Sequence, residues 1–110
     1  MSPSDNETWL IEAGDAVIQR KARDGIGRLS PTDKLIYCLW VADYGMRNAG
    51  DLATASDLYA NFQTDGLRAA QEIGLPASCA AFALQTPDLQ NQYFERFESI
   101  CDEIRRVLSL

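Results

Sequence analysis

Between Leu35 and Met46 the chain reads LIYCLWVADYGM, and Asp43 is the only charged residue between Lys34 and Arg47. A helix that is apolar around most of its circumference is stable in water only when other elements surround it. Twelve residues fall short of the roughly 20 needed to cross a bilayer. The segment therefore predicts a central core helix, and the rest of the chain has to supply its coat. Ser30-Pro31-Thr32-Asp33 is its start. Ser30 can cap, Pro31 suits the first helical position, and Asp33 can complete an acidic capping box. Asn48, Ala49 and Gly50 are the expected stop.

The flanking segments read as helices too. Ser4-Asp5-Asn6-Glu7 is a candidate capping box, followed by an apolar stripe of Trp9, Ala13, Ala16 and Val17 with Leu10 and Ile18 beside it. Arg20, Lys21 and Arg23 fall in the last turn, where cations complement the helix dipole, and Gly25 and Gly27 end it. A shorter helix runs from about Leu52 to Phe62, with Thr54-x-x-Asp57 as an internal cap. Thr64-Asp65-Gly66 is expected to bend or interrupt the helical run, so one bent helix and two separate ones are both open over residues 52–74. Leu67, Ala70 and Ile73 form the next stripe before the stop at Gly74-Leu75-Pro76, and residues 76–84 make a short helix of small residues.

Thr86-Pro87-Asp88 opens the last and longest helix, with Leu89, Tyr93, Phe97, Ile100, Cys101, Ile104 and Leu108 on one face. Phe94 and Val107 widen that apolar surface, so pairing with a second copy as a homodimer is an alternative use of it. No stretch alternates as a strand does. The expectation is a single all-α domain over residues 1–110, a bundle of five to six helices with a central apolar helix and a long C-terminal one.

Charge and missing residue types narrow the function. The net charge of −6 argues against direct nucleic-acid binding and against an anionic membrane surface. From Asn48 to Ile104 there are nine acids against two bases. Histidine is absent, which excludes Ser-His-Asp and Cys-His catalysis and His-ligated zinc. Cys38, Cys79 and Cys101 match no C-x-x-C or zinc spacing and are expected to be buried structural thiols. With no Gly-rich phosphate loop or EF-hand pattern, no cofactor and no metal are expected. The polar, acidic start MSPSDNETW does not read as a secretory signal, so the expected location is cytoplasmic.

Two constellations stand out. Asp43, Arg47 and Asp51 recur at i, i+4 and i+8 where the core helix ends, with Tyr44 and Asn48 beside them. They read as a structural clamp in which Asp43 pairs with Arg47, or as a small polar pocket for a ligand or partner. Glu95, Glu98 and Asp102 form an acidic ridge along the last helix. Carboxylates at this spacing lie about 5–6 Å apart, of the order of phosphate spacing on nucleic acid. Arg105 and Arg106 come next, within reach of Asp102, so a solvated face with internal pairs is the alternative.

Residues 29–84 open with LSPTDKLIYCLWVADYGMRNAGD and run through an Ala-rich helix ending in EIGLP to a short apolar helix. About half the chain thus resembles the small acidic helical bacterial proteins grouped with the Neisseria DNA-mimic protein. Leu29, Ser30, Trp40, Asn48, Gly50 and Ile73-Gly74 stand at matching places. Ala49 and Asp51 occupy the positions of that family's first glycine and phenylalanine. The resemblance implies an all-α, non-enzymatic regulatory protein that binds another protein through an acidic surface, in some cases as a dimer. The expected function is an interaction module for a basic protein partner. A small-molecule-binding or carboxylate-based enzyme domain and an immunity- or antitoxin-type occluding protein are the alternatives.

Overall fold

A computed structural model describes residues 4–109. Among them are six α-helices and no strand: α1 (Ser4–Asp24), α2 (Pro31–Ala49), α3 (Leu52–Leu58), α4 (Phe62–Ile73), α5 (Pro76–Phe82) and α6 (Thr86–Leu108). A 3₁₀ turn at Ile26–Arg28 joins α1 to α2. The fold is all-α, as expected, and no helix among the described residues is long and apolar enough to cross a membrane.

α2 sits at the centre, with α1, α3, α4 and α6 packed around it. Ten of its residues are buried, and they lie on all sides of the helix. Each fully buried Leu, Ile or Val contributes about 1.5–3 kcal/mol relative to exposure, so α2 anchors the four helices around it. The Ser30 hydroxyl oxygen accepts the Asp33 amide at 3.1 Å, as its cap position predicts. Gly50 closes the helix in the left-handed region at φ 74°, its amide donating to the Met46 carbonyl. Asp33 does not complete the capping box. Its carboxylate accepts from Arg20 Nε and Nη2, at 2.9 and 3.0 Å, and ties the end of α1 to the start of α2. Arg20 thus bridges two helices, while Lys21 lies over the Tyr37 ring.

Gly45 lets α3 come close to α2. A β-carbon there would lie 2.7 Å from the Asp51 carbonyl oxygen and 2.8 Å from the Ala55 nitrogen. Both neighbours are backbone, so relief would require moving α3. Gly45→Ala is expected to destabilise the fold by about 1–3 kcal/mol, read as a lowered urea midpoint; an unchanged midpoint would contradict this packing.

α1 is rotated from the expected stripe. Leu10, Gly14 and Val17 face inward, Trp9, Ala13 and Ile18 are half-buried, and Ala16 is exposed. The Trp40 indole lies directly against Gly14, which sets this rotation. The Ser4 half of the expected capping box lies outside the described side chains. Glu7 reaches Arg47 of α2 instead, at 3.2 Å.

Residues 52–74 form two helices, but the break is not at Thr64-Asp65-Gly66. It falls at Tyr59–Asn61, and Gly66 is buried inside α4 with the Phe82 ring packed on it. The cap of α3 is also displaced from Thr54-x-x-Asp57: Asp51 accepts the Thr54 amide at 2.8 Å, and Gln90 of α6 accepts the Leu52 amide at 2.8 Å. Thr86 does not cap α6, because its hydroxyl donates to Gln63. That glutamine also donates to the Phe82 and Leu84 carbonyls and so holds α4 to the α5–α6 turn. Along α6 the expected face is buried from Leu89 to Ile104, whereas Leu108 is exposed. Cys38 and Cys101 are buried free thiols, and Cys79, expected to be buried, is partly exposed.

Candidate interaction site

The polar exit of α2 resolves into separate tasks. Asp43 is buried and accepts three hydrogen bonds: from the Tyr93 hydroxyl at 2.6 Å and from Arg47 Nε to its two oxygens, at 2.9 and 3.0 Å. Arg47 continues to Glu7, and its guanidinium lies 5.1 Å from the Phe94 ring centre and 4.8 Å from that of Phe97. One cation therefore joins α1, α2 and α6. Burial raises the Asp43 carboxyl above its ordinary value, against the lowering effects of the Tyr93 hydroxyl and of Arg47. Burial beside Asp43 likewise holds Tyr93 well above its usual range, so its proton stays in the bond.

The other residues of the expected cluster stand apart from this network. Asp51 caps α3, and the Thr54 amide it accepts holds its carboxyl below the usual range. Asn48 donates to the Tyr44 carbonyl at 2.8 Å. Tyr44 is 42% exposed and its ring stacks on Trp40 with centres 5.8 Å apart. None of Asp43, Tyr44, Arg47, Asn48 and Asp51 lines the cleft around Asp65 and Arg68 or the one around Gln63 and Phe82.

The ridge on α6 is organised by a residue that sequence reasoning passed over. Asn6 of α1 is buried, and its amide nitrogen donates to Glu98 at 2.6 Å and to Asp102 at 3.2 Å. Its carbonyl oxygen accepts Arg105 at 2.7 Å, and that guanidinium lies over the Trp9 ring. Two ridge carboxylates are thereby fixed by one amide, and the third, Glu95, is exposed. Phe94 stands one turn before Glu98 and is 50% exposed. An aromatic side chain thus lies on a helix face beside carboxylates whose rotamers are already set. The signal that could have found Asn6 is its place in α1, one turn before Leu10 on the inward face.

A second missed residue is Glu103. It is buried on α6 and accepts the Ala77 amide at 2.7 Å, the Ser78 amide at 2.8 Å and the Ser78 hydroxyl at 2.9 Å. α5 begins at Pro76 after Leu75, which has no capping side chain, so its orphan amides need an acceptor from elsewhere. Glu103 supplies it from 25 residues away.

The two buried thiols are held protonated: burial pushes Cys38 up to about 12 and raises Cys101 strongly. Neither is an activated nucleophile at neutral pH. Among the described residues no three Cys, Asp or Glu side chains are grouped to hold a metal ion. Compared with protein-family models, with curated proteins and with solved structures, the chain matches none of them.

Proposed function

We propose that this protein is a non-enzymatic interaction module that docks a basic protein segment on the α6 ridge, in keeping with its resemblance to acidic helical regulatory proteins. The observation that carries this reading is the pairing of a half-exposed Phe94 with the Glu98 and Asp102 carboxylates that Asn6 holds in place. Interfaces draw their energy from a few aromatic anchors inside a polar rim, and fixed rotamers reduce the ordering entropy lost on association. The rim here is acidic through Glu95, Glu98 and Asp102, which favours a Lys- or Arg-bearing partner and rapid, salt-sensitive encounter.

A cationic amphipathic peptide of alternating Lys and Leu helical turns serves as the test ligand. Binding by calorimetry is expected to weaken steeply between 50 and 300 mM salt, about the range over which the Debye length shortens from ~14 to ~6 Å. Phe94→Ala is expected to weaken it about tenfold or more, as loss of an anchor does, while Asp57→Asn on α3 leaves it unchanged. Binding that is indifferent to both salt and Phe94 would refute the assignment.

A further inference from the structure

A cleft of about 150 Å³ lies between the 3₁₀ turn, the start of α2 and one face of α4. It is far from the α6 ridge in the chain's connectivity, and none of the ridge residues lines it. Its volume is roughly ten times what one water needs and half that of a small drug-sized pocket, so it suits a molecule of a few heavy atoms.

The charges around it alternate in sign. Asp65, Arg68 and Glu72 lie along one face of α4 at i, i+3 and i+7, and Lys34 projects from α2. Asp65 accepts the Tyr59 hydroxyl, which fixes one carboxylate oxygen at the cleft wall. Its other oxygen stands 3.9 Å from Arg68 Nη1, too far for a hydrogen bond, so those guanidinium donors are left for something else. Lys34 makes no ion pair or side-chain hydrogen bond among the described residues. Ile26, Pro31 and Ala69 supply apolar wall.

We infer that this cleft binds a small zwitterion, a free α-amino acid with a short apolar side chain. Its carboxylate would sit between Lys34 and Arg68, its ammonium toward Glu72 one turn further along α4, and its side chain against Ile26, Pro31 and Ala69. The two cations and two anions cancel, so a zwitterion enters without net repulsion. A simple anion would meet both carboxylates and the field of a chain whose net charge is −6. The inference does not depend on the α6 ridge or on any protein partner.

The test is an amide chemical-shift titration of the full chain with L-alanine and L-valine, with propionate and isopropylamine as half-ligands. Saturable shifts at residues 26–34 and 59–72 with the amino acids, and none with either half-ligand, are expected. Lys34→Gln and Glu72→Gln should each weaken binding about tenfold or more while leaving the helical circular dichroism unchanged, since neither side chain is part of the core. Absence of saturable shifts with both amino acids overturns the inference. So does propionate binding as tightly as alanine, or undiminished binding in both variants.

Discussion

Glu103→Ala is expected to be the most damaging single substitution on α6, lowering stability by about 3–4 kcal/mol. The carboxylate accepts two backbone amides and a hydroxyl at the start of α5, all within 2.7–2.9 Å. Alanine leaves these donors without an acceptor in a region where Ser78 is fully buried. Stranded donors of this kind lose their full desolvation energy, which exceeds the net value of the bonds themselves. A domain of this size has about 5–15 kcal/mol in total, so the loss is a large share of it. Urea denaturation with a constant m-value is the check. Glu103→Gln keeps one acceptor oxygen and should fall between wild type and alanine. A Glu103→Ala variant within about 1 kcal/mol of wild type would mean that α5 is held by its apolar face alone.

Arg47→Met is the second large effect, at about 2–3 kcal/mol near neutral pH. Removing one partner of a buried ion pair commonly costs about 3–5 kcal/mol, reduced here because a third of the Arg47 side chain is exposed. Methionine keeps the stem against Phe94 and Phe97 but leaves Asp43 with the Tyr93 hydroxyl alone. The Asp43 carboxyl already sits above its ordinary value because of burial, and loss of the arginine raises it further. A carboxyl raised on folding binds its proton more tightly in the folded state, so it adds stability at low pH that is lost as pH rises through its folded value. The deficit of Arg47→Met relative to wild type is therefore largest near neutral pH and narrows as pH falls through the raised Asp43 values toward the ordinary carboxylate range. A deficit that stays flat across this range would show that the loss is one of packing and not of charge.

These two residues mark where the chain could be read directly and where it could not. Asp43 and Arg47 are four apart on one helix, and an aspartate in so apolar a segment had to find a partner, so the pair was legible. Ser30 was legible for the same reason, since cap and amide are three residues apart. Glu103 was not, because the donors it accepts lie 25 residues earlier and nothing local distinguishes it from the neighbouring acids. Asn6 bridges positions more than 90 residues away in the chain, and Tyr93 meets Asp43 across 50. The break expected at Thr64-Asp65-Gly66 but found near residue 60 has the same origin. Thr64-Asp65-Gly66 looks like a helix stop locally, yet packing of Phe82 on Gly66 keeps α4 continuous there. Asp51 shows the converse error: its spacing from Asp43 and Arg47 suggested one cluster, whereas its side chain turns to the next helix as a cap.

The ridge on α6 owes its order to α1. If Asn6 fixes Glu98 and Asp102 for a partner, then replacing it should weaken binding with no change in charge. The most direct measurement is an amide chemical-shift map of the full chain titrated with the cationic Lys/Leu peptide at low salt. Perturbations are predicted to centre on Phe94, Glu95, Glu98 and Asp102, to shrink in Asn6→Ala and to vanish at 300 mM salt. Perturbations centred away from α6, or equally strong in Asn6→Ala and at high salt, would contradict docking on the ridge.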